Sequence, residues 1–471
     1  MLIWKTNSFD IKIASVRYRC LLPSRYLELH GYKCCFYAGN NPINFKNRSD
    51  SDVLIFVKSF TPYDLSLAKK AKQAGVPVIL DICDNIFIDE YVSKSQFKPS
   101  EVFKEMSEVA SAIVTTGVAL KNTIQTQINP SVPIFVVPDA NETVEDINYA
   151  LSIGKWGRWL RLFLYSPISS ISIIKNSLPG KIKTVKTSYS KYRQKIKSKF
   201  KDKYYNKLLN ILSKYKKQTK TFLKKLIKLA YFHKYLHYIN KIKNMLVNYA
   251  NKKHFTSELA INTVVLQKPI INSVNLKENF NDSSVTVNKK IANSCKTVLW
   301  FGNHGAAYGN FGMLNLLDIA EPLIKVSQEI NFRLLVVSNN YKKYCKYIQP
   351  LPFSTDYMEW DLFSIYNNIS QSDVVIIPNS QCAFSICKSA NRAILSLSLG
   401  VPVVATRTPA LEDLNECIII DDWERGLKTY LSNQQLVDSD LKKAQSIISS
   451  SYSGEAVANR WSNLIEQITG G

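Results

Sequence analysis

Short apolar runs alternate with amphipathic stretches over the first 142 residues. Residues 11–16, 33–37, 52–57, 76–81, 112–115 and 134–137 have the length and composition of strands. Between them the spacing predicts helices over 23–30 and 65–74, stopped by Gly31 and Gly75. The same grammar returns from residue 296. Strands are predicted at 296–301, 333–338, 373–378 and 401–405, helices at 313–328, 361–369 and 390–399, and a last helix at 455–468. Strands that alternate with helices through short connections predict parallel sheets covered on both faces.

Two such halves predict an α/β fold class with two Rossmann-like domains facing a cleft. The N-terminal one spans 1–142 and the C-terminal one 296–471. Ligands of such sheets bind beyond the carboxyl ends of the strands. Residues 143–295 break the pattern and are expected to be a basic, mainly helical insertion. An aromatic cluster around Trp156, Trp159 and Phe163, lysine-flanked apolar positions at 223–239 and a polar stretch at 272–293 fall within it.

Charge sharpens this division. The formal net charge is +24. Residues 151–260 carry 27 of the 61 Lys and Arg side chains and two of the 37 Asp and Glu. The rest, with 34 basic and 35 acidic residues, is nearly neutral. Three readings compete for the basic segment: an anionic membrane surface, a solvated helical spacer, and nucleic acid, for which no motif is visible. No run reaches the roughly 18 apolar residues of a membrane span, and no signal peptide is expected. Nine cysteines without a CxxC spacing suggest reduced thiols, and cytoplasmic placement, peripheral on the inner face of the membrane if the surface reading holds.

Several stretches together resemble GT-B-fold glycosyltransferases of the group 1, family 4-like kind. They are VRYRCLLPSRYLELHGYKC, DVLIFVKSFTPYDLSLAKKAKQAGVPVILDICDNIF, VVPDANE, LWFGNHG and SDVVIIPNSQCAFSICKSANRAILSLSLGVPVVATRTPALEDL, in that order. The resemblance covers 1–142 and 296–471. It implies transfer of a sugar from a nucleotide-sugar to a glycan or lipid-linked acceptor, in surface polysaccharide or glycoconjugate synthesis. It implies a hexosyltransferase type with no obligatory metal and no cofactor beyond the co-substrate. Two departures stand out. The Glu-x7-Glu pair of many members is absent between Pro378 and Gly400, and so is their first-domain histidine; His30 lies at a helix end. An epimerase of the same fold and a non-catalytic sugar- or nucleotide-binding relative therefore stay open, as do the sugar, the base and the stereochemical outcome.

Candidate residues follow from the chemistry of a departing diphosphate, whose charge needs amides and cations. On the donor side these are Gly302, Asn303, His304 and Gly305 after one strand, Asn379 after another, and Lys388, Ser389, Asn391 and Arg392 at a helix start; Glu412 is a candidate for a ribose hydroxyl. Asp84 is the candidate general base and Lys58 a second catalytic candidate at a strand end. Arg17 and Arg19 are candidates to clamp an acceptor or a phosphate, with Asp81 beside them. Each has a plainer alternative: a solvated helix start, an ordinary turn, a capped loop or an ion pair with a neighbouring carboxylate.

Overall fold

The computed structural model describes residues 1–41, 43, 45, 52–88, 97–154, 157–158, 161, 295–305 and 311–470. Most of the expected basic insertion, including Trp156, Trp159 and the stretches at 223–239 and 272–293, lies outside the described residues.

The first domain carries six parallel strands: β1 (Leu2–Thr6), β2 (Cys34–Ala38), β3 (Val53–Val57), β4 (Val78–Ile82), β5 (Ala112–Thr115) and β6 (Ile134–Val136). Their order is β2-β1-β3-β4-β5-β6. Helices α1 (Leu22–Leu29), α2 (Pro62–Gln73), α3 (Pro99–Ser107), α4 (Val118–Ile128) and α5 (Val144–Ser152) flank them. Strands β1, β3 and β4 are buried at every position, as a parallel sheet covered on both faces requires. The opening strand is thus Leu2–Thr6 and not residues 11–16, which lead into a helix. Lys5 hides it: the side chain interrupts the apolar run, yet it is buried, with its ammonium 2.8 Å from Asp64 and 3.1 Å from Ser59 Oγ.

Arg17–Leu21 forms a π-helical turn before α1, closed by the Leu22 N–H donating to the Arg17 carbonyl. The domain also runs past residue 142. Thr143 and Asp146 cap α5 reciprocally, and α5 places Ile147 and Ala150 in the interior. Ala150 and Ile153 join the core that covers β1. The surplus of basic residues makes this segment look like part of the insertion, but the surplus begins only beyond it.

The second domain has β7 (Lys296–Phe301), β8 (Phe332–Ser338), β9 (Ser354–Glu359), β10 (Val374–Ile377), β11 (Val403–Ala405) and β12 (Ile419–Ile420) in the order β12-β11-β10-β7-β8-β9. Counted from its own first strand this is the doubly wound order 3-2-1-4-5-6, whose direction reverses between β7 and β10. Helices α6 (Ala320–Glu329), α7 (Tyr341–Tyr347), α8 (Ser364–Ser370), α9 (Asn391–Ser398), α10 (Trp423–Ser432) and α11 (Gln434–Ile447) cover it. The helix expected over 313–328 is broken near Ile319 into shorter pieces. The two domains are Rossmann-like and belong to one compact unit.

The last helix, α12 (Gly454–Thr469), returns to the first domain. Its Val457, Ala458, Trp461, Leu464 and Ile465 enter the core around β1. Trp461 meets Trp4 edge to face at 5.3 Å between ring centres, a pairing that contributes about 0.5–1.5 kcal/mol beyond its buried area. The outgoing and returning crossings touch where the Asn141 N–H donates to the Tyr452 carbonyl at 2.6 Å. Gly454 makes this docking possible, because a Cβ there would lie 2.0 Å from the Tyr26 ring. Gly454→Ala is expected to destabilise the protein by about 1–3 kcal/mol, read as a lower urea midpoint. An unchanged midpoint would mean that the ring swings aside freely.

Candidate functional site

The carboxyl end of β4 supplies two aspartates with different surroundings. Asp81 is buried against Arg19, whose Nη2 and Nε donate to it at 2.6 and 3.1 Å. Arg19 Nη1 also donates to the Val137 carbonyl at 2.7 Å and to Asp139 at 3.2 Å. Burial opposes charge on Arg19, but Asp81 and Asp139 outweigh it and raise its pKa. Arg17 donates to Glu142 at 2.7 Å and to the Ile11 carbonyl at 2.8 Å. Both guanidiniums are therefore interior ties between the π-turn, β4 and the segment leaving the domain. Of the two readings open for Arg17, Arg19 and Asp81, the contacts are those of ion pairs, and the pairs are buried.

Asp84 has different partners. Lys388 binds its Oδ1 and Lys58 its Oδ2, so one carboxylate joins two ammoniums from two domains. Burial alone would raise the Asp84 pKa, but the two lysines overcome it and hold the group well below the usual carboxylate range. Lys58 occupies the left-handed region at φ 46°. It is fixed there by its own N–H on the Asp81 carbonyl at 2.9 Å and by Asn7, which donates to its carbonyl at 3.2 Å.

A pH dependence follows with a definite sign. Asp84 has a folded pKa below its ordinary 3.8, so the stability it contributes is complete above that value and declines as pH falls beneath it. The stability difference between the native protein and Asp84→Asn should be flat from about pH 5 to 8 and shrink below about pH 4, measured by urea unfolding. A difference that stays constant into acid would overturn the pairing.

Further ties join the domains among the described residues. Ser389 Oγ donates to Asp139 at 2.6 Å, Asn85 Nδ2 to the Ala383 carbonyl at 3.0 Å, and the Tyr366 hydroxyl to Glu142 at 2.6 Å. Glu142, Asp139 and Tyr366 were not legible as site residues. Their partners lie more than 100 residues away, and only the folded chain shows them.

In the second domain, Gly302, Asn303, His304 and Gly305 follow β7 at the reversal of strand order. Gly305 has φ +96°, and a Cβ there would stand 2.1 Å from the Phe311 carbonyl oxygen, so the close turn needs glycine. The His304 N–H donates to Asn339 at 3.2 Å, and Lys343 donates to the His304 carbonyl at 2.8 Å. Burial, then Lys343, lower the His304 pKa, which favours a neutral ring near pH 7. Lys343 follows β8 on α7; its place beyond a strand end is the signal that could have found it.

Asn391 and Arg392 open α9. The Arg392 guanidinium lies across the reversal itself. Its Nη1 donates to the Phe301 carbonyl at the end of β7 at 3.3 Å, and its Nη2 to Asn379 Oδ1, just beyond β10, at 3.0 Å. Gly302 lies against it, since a Cβ there would be 3.4 Å from Nη1. Desolvation pushes the Arg392 pKa down to about 10. No carboxylate among the described residues pairs with Arg392, in contrast to Arg17 and Arg19. Glu412 is exposed on the turn Pro409–Leu414, whose Leu411 and Leu414 are buried, and it accepts from Asn415 at 2.9 Å.

Among the described residues no three His, Cys, Asp or Glu side chains converge as a metal site, and no helix is long and apolar enough to cross a membrane. None of the nine cysteines is joined in a disulfide among the described residues.

No protein-family model and no curated protein matches the chain. Solved structures do. The chain is similar to Anabaena HepE in complex with UDP, with a TM-score of 0.49, 10% identity and 99% of each chain covered. It is similar to sucrose-phosphate synthase from Thermosynechococcus elongatus, with a TM-score of 0.48, 10% identity, and 100% of this chain and 99% of that one covered. A third is the S. aureus TarM G117R mutant in complex with Fondaparinux, alpha-GlcNAc-glycerol and UDP, with a TM-score of 0.44 and 11% identity. There 88% of this chain is covered, but only 56% of the length of TarM.

Proposed function

We propose that the protein is a GT-B-type glycosyltransferase that moves a sugar from a nucleotide-sugar to a glycan or lipid-linked acceptor. The observation that carries this reading is Arg392, a desolvated guanidinium with no carboxylate partner among the described residues, held across the strand reversal beside a glycine-rich loop. An anion there would meet a positive charge whose desolvation cost is already met. The diphosphate of the donor sits on Arg392 and the Gly302–Gly305 loop, with Lys343 behind it. As the glycosidic bond to the nucleotide breaks, the negative charge grows on the phosphate oxygens that these groups face. Asn379 holds Arg392 in place. In this reading Glu412 and Asn391 serve the nucleoside.

The transferred sugar and the acceptor meet at Lys58, Asp84 and Lys388. Asp84 is the carboxylate available to the acceptor hydroxyl. Its two lysines keep it ionised and also weaken it as a base, so proton removal requires substrate to draw at least one lysine away. That weakness favours a second reading, in which the chain binds a nucleotide-sugar without turning it over.

A panel of UDP-, GDP- and dTDP-sugars, read by thermal shift, tests the first claim. At least one should raise the unfolding temperature, because a ligand of the native state stabilises it. The absence of any shift would overturn the reading. Acceptor-dependent nucleotide release separates transfer from mere binding, and conversion of the donor without acceptor would identify an epimerase.

For residues 151–260 we propose contact with an anionic membrane surface, on the inner face. Each basic residue near such a surface contributes about 1 kcal/mol. Loss of the segment should lower binding to anionic liposomes and leave nucleotide binding intact; unchanged liposome binding would remove the proposal.

A further inference from the structure

The left-handed turn at Lys58 stands on a chain of polar groups that begins inside β1. Lys5 is buried, pairs with Asp64 at 2.8 Å and donates to Ser59 Oγ at 3.1 Å. The Ser59 hydroxyl has one proton to give. Asp64 Oδ2 lies 3.0 Å from it but already receives the Thr61 N–H at 3.0 Å and the Thr61 hydroxyl at 2.7 Å. Asn7 Oδ1 is nearer, at 2.7 Å, and takes the proton. This turns the Asn7 Nδ2 toward the Lys58 carbonyl, to which it donates at 3.2 Å. On the other side of the residue, the Lys58 N–H is held by the Asp81 carbonyl at 2.9 Å. A lysine at φ 46° lies outside the backbone conformations that residues with a Cβ prefer. It persists there because its N–H and its carbonyl are both tied. Asn7 is the exposed end of the chain, while Lys5, Ser59 and Asp64 are buried.

This turn decides where the Lys58 ammonium goes. Lys58 and Asp84 both belong to the first domain, just past β3 and β4, and they meet there. Lys388 reaches the same carboxylate from the second domain. Its backbone is extended, and its N–H is held within its own loop by the Ser385 carbonyl at 3.1 Å. Its ammonium also lies 3.9 Å from the centre of the Phe384 ring, which attracts the cation within its own domain. We infer that Asn7 is a positioning residue of the candidate site: braced by Ser59 and Lys5, it fixes the Lys58 turn and makes Lys58 the standing partner of Asp84, with or without Lys388. The inference rests on the reading of Asp84 as the carboxylate offered to the acceptor. It deepens that reading by naming what keeps a cation on Asp84 when Lys388 is drawn away. An asparagine suits this place because it must accept from Ser59 and donate to a carbonyl at once. Aspartate lacks the donor, and alanine lacks both groups.

Double-mutant cycles on the full chain, read by urea unfolding near neutral pH, test this. The coupling between Lys58 and Asp84, from Lys58→Gln, Asp84→Asn and the double variant, should be favourable. It should persist when the cycle is repeated in a Lys388→Gln background. Adding Asn7→Ala should reduce that coupling by about half or more in both backgrounds, and leave the coupling between Lys388 and Asp84 at least as large. Asn7→Asp, which keeps the shape and loses the donor, should not restore it. If Asn7→Ala does not fold, Asn7→Asp carries the same cycles. A Lys58–Asp84 coupling that Asn7→Ala leaves unchanged while overall stability falls overturns the inference, because a merely structural asparagine lowers every corner of the cycle alike. So does a coupling that disappears with Lys388→Gln, since Lys58 would then owe its place to the second domain. The nucleotide-sugar panel, run on the unaltered protein, keeps the two readings apart. If no nucleotide binds and the cycles behave as expected, the glycosyltransferase reading fails while the role of Asn7 stands.

Discussion

Replacing Arg392 with methionine is expected to weaken UDP binding by about ten- to a hundredfold, the loss of a charged hydrogen bond worth roughly 1.5–3 kcal/mol. Stability should change little, by about 1 kcal/mol or less. The two expectations come from one geometry. Arg392 is held by a carbonyl and an amide oxygen and is desolvated, with no carboxylate among the described residues to offset the cost. Removing it forfeits two modest hydrogen bonds and also relieves that desolvation. In the presence of a diphosphate the balance reverses, because the guanidinium then has the counter-charge it lacks in the free protein. Arg392→Lys should not restore binding, since an ammonium cannot span Phe301 and Asn379 and still present a planar donor pair. Calorimetric titration with UDP, beside thermal unfolding of each variant, measures both halves. Unchanged UDP affinity would remove Arg392 from the site and with it the main support for the donor reading.

The parts of this site that were legible in sequence are those where backbone topology decides the outcome. The glycine-rich loop after β7 and the basic start of α9 stand at strand ends, and a strand end is what an apolar run followed by a polar loop announces. The parts that were not legible depend on pairing across long separations. Arg17 and Arg19 look free beside one another, and nothing local says that Glu142 and Asp81 occupy them. Lys5 makes β1 look like an exposed segment for the same reason: its partner Asp64 is on α2. Strand β9, STDYME, is an edge strand with mostly exposed or half-buried positions, so it lacks the apolar signal of its neighbours. Helix α5 did carry a local signal, the Thr143-x-x-Asp146 capping box. The basic composition of the chain that follows outweighed it.

Arg19→Met should cost about 3–5 kcal/mol of stability, the range found when one partner of a buried ion pair is removed. It is the largest expected effect on folding of any single change considered. The side chain is 1% exposed and makes contacts to Asp81, Asp139 and the Val137 carbonyl. Its loss leaves two carboxylates close together in the interior with no cation between them. They would respond by taking up a proton, so the defect of Arg19→Met should be smaller in mild acid than at pH 8; it shrinks at a higher pH than the Asp84→Asn difference, which holds down to about pH 4. The sign follows from the folded-state pKa of an unpaired buried carboxyl lying above its unfolded value, which makes the loss grow as pH rises through that range. A second change discriminates the cause. Asp81→Asn added to Arg19→Met removes one stranded charge and should recover part of the stability, as a double-mutant cycle would show. Because Asp139 also receives Ser389 from the second domain at 2.6 Å, the single variant should loosen the interdomain tie as well. UDP affinity should then fall by less than for Arg392→Met, because the donor loop and Arg392 stay intact. A variant as stable as the native protein at pH 8 would show that these carboxylates do not need Arg19, and that Arg19 is free for a ligand after all.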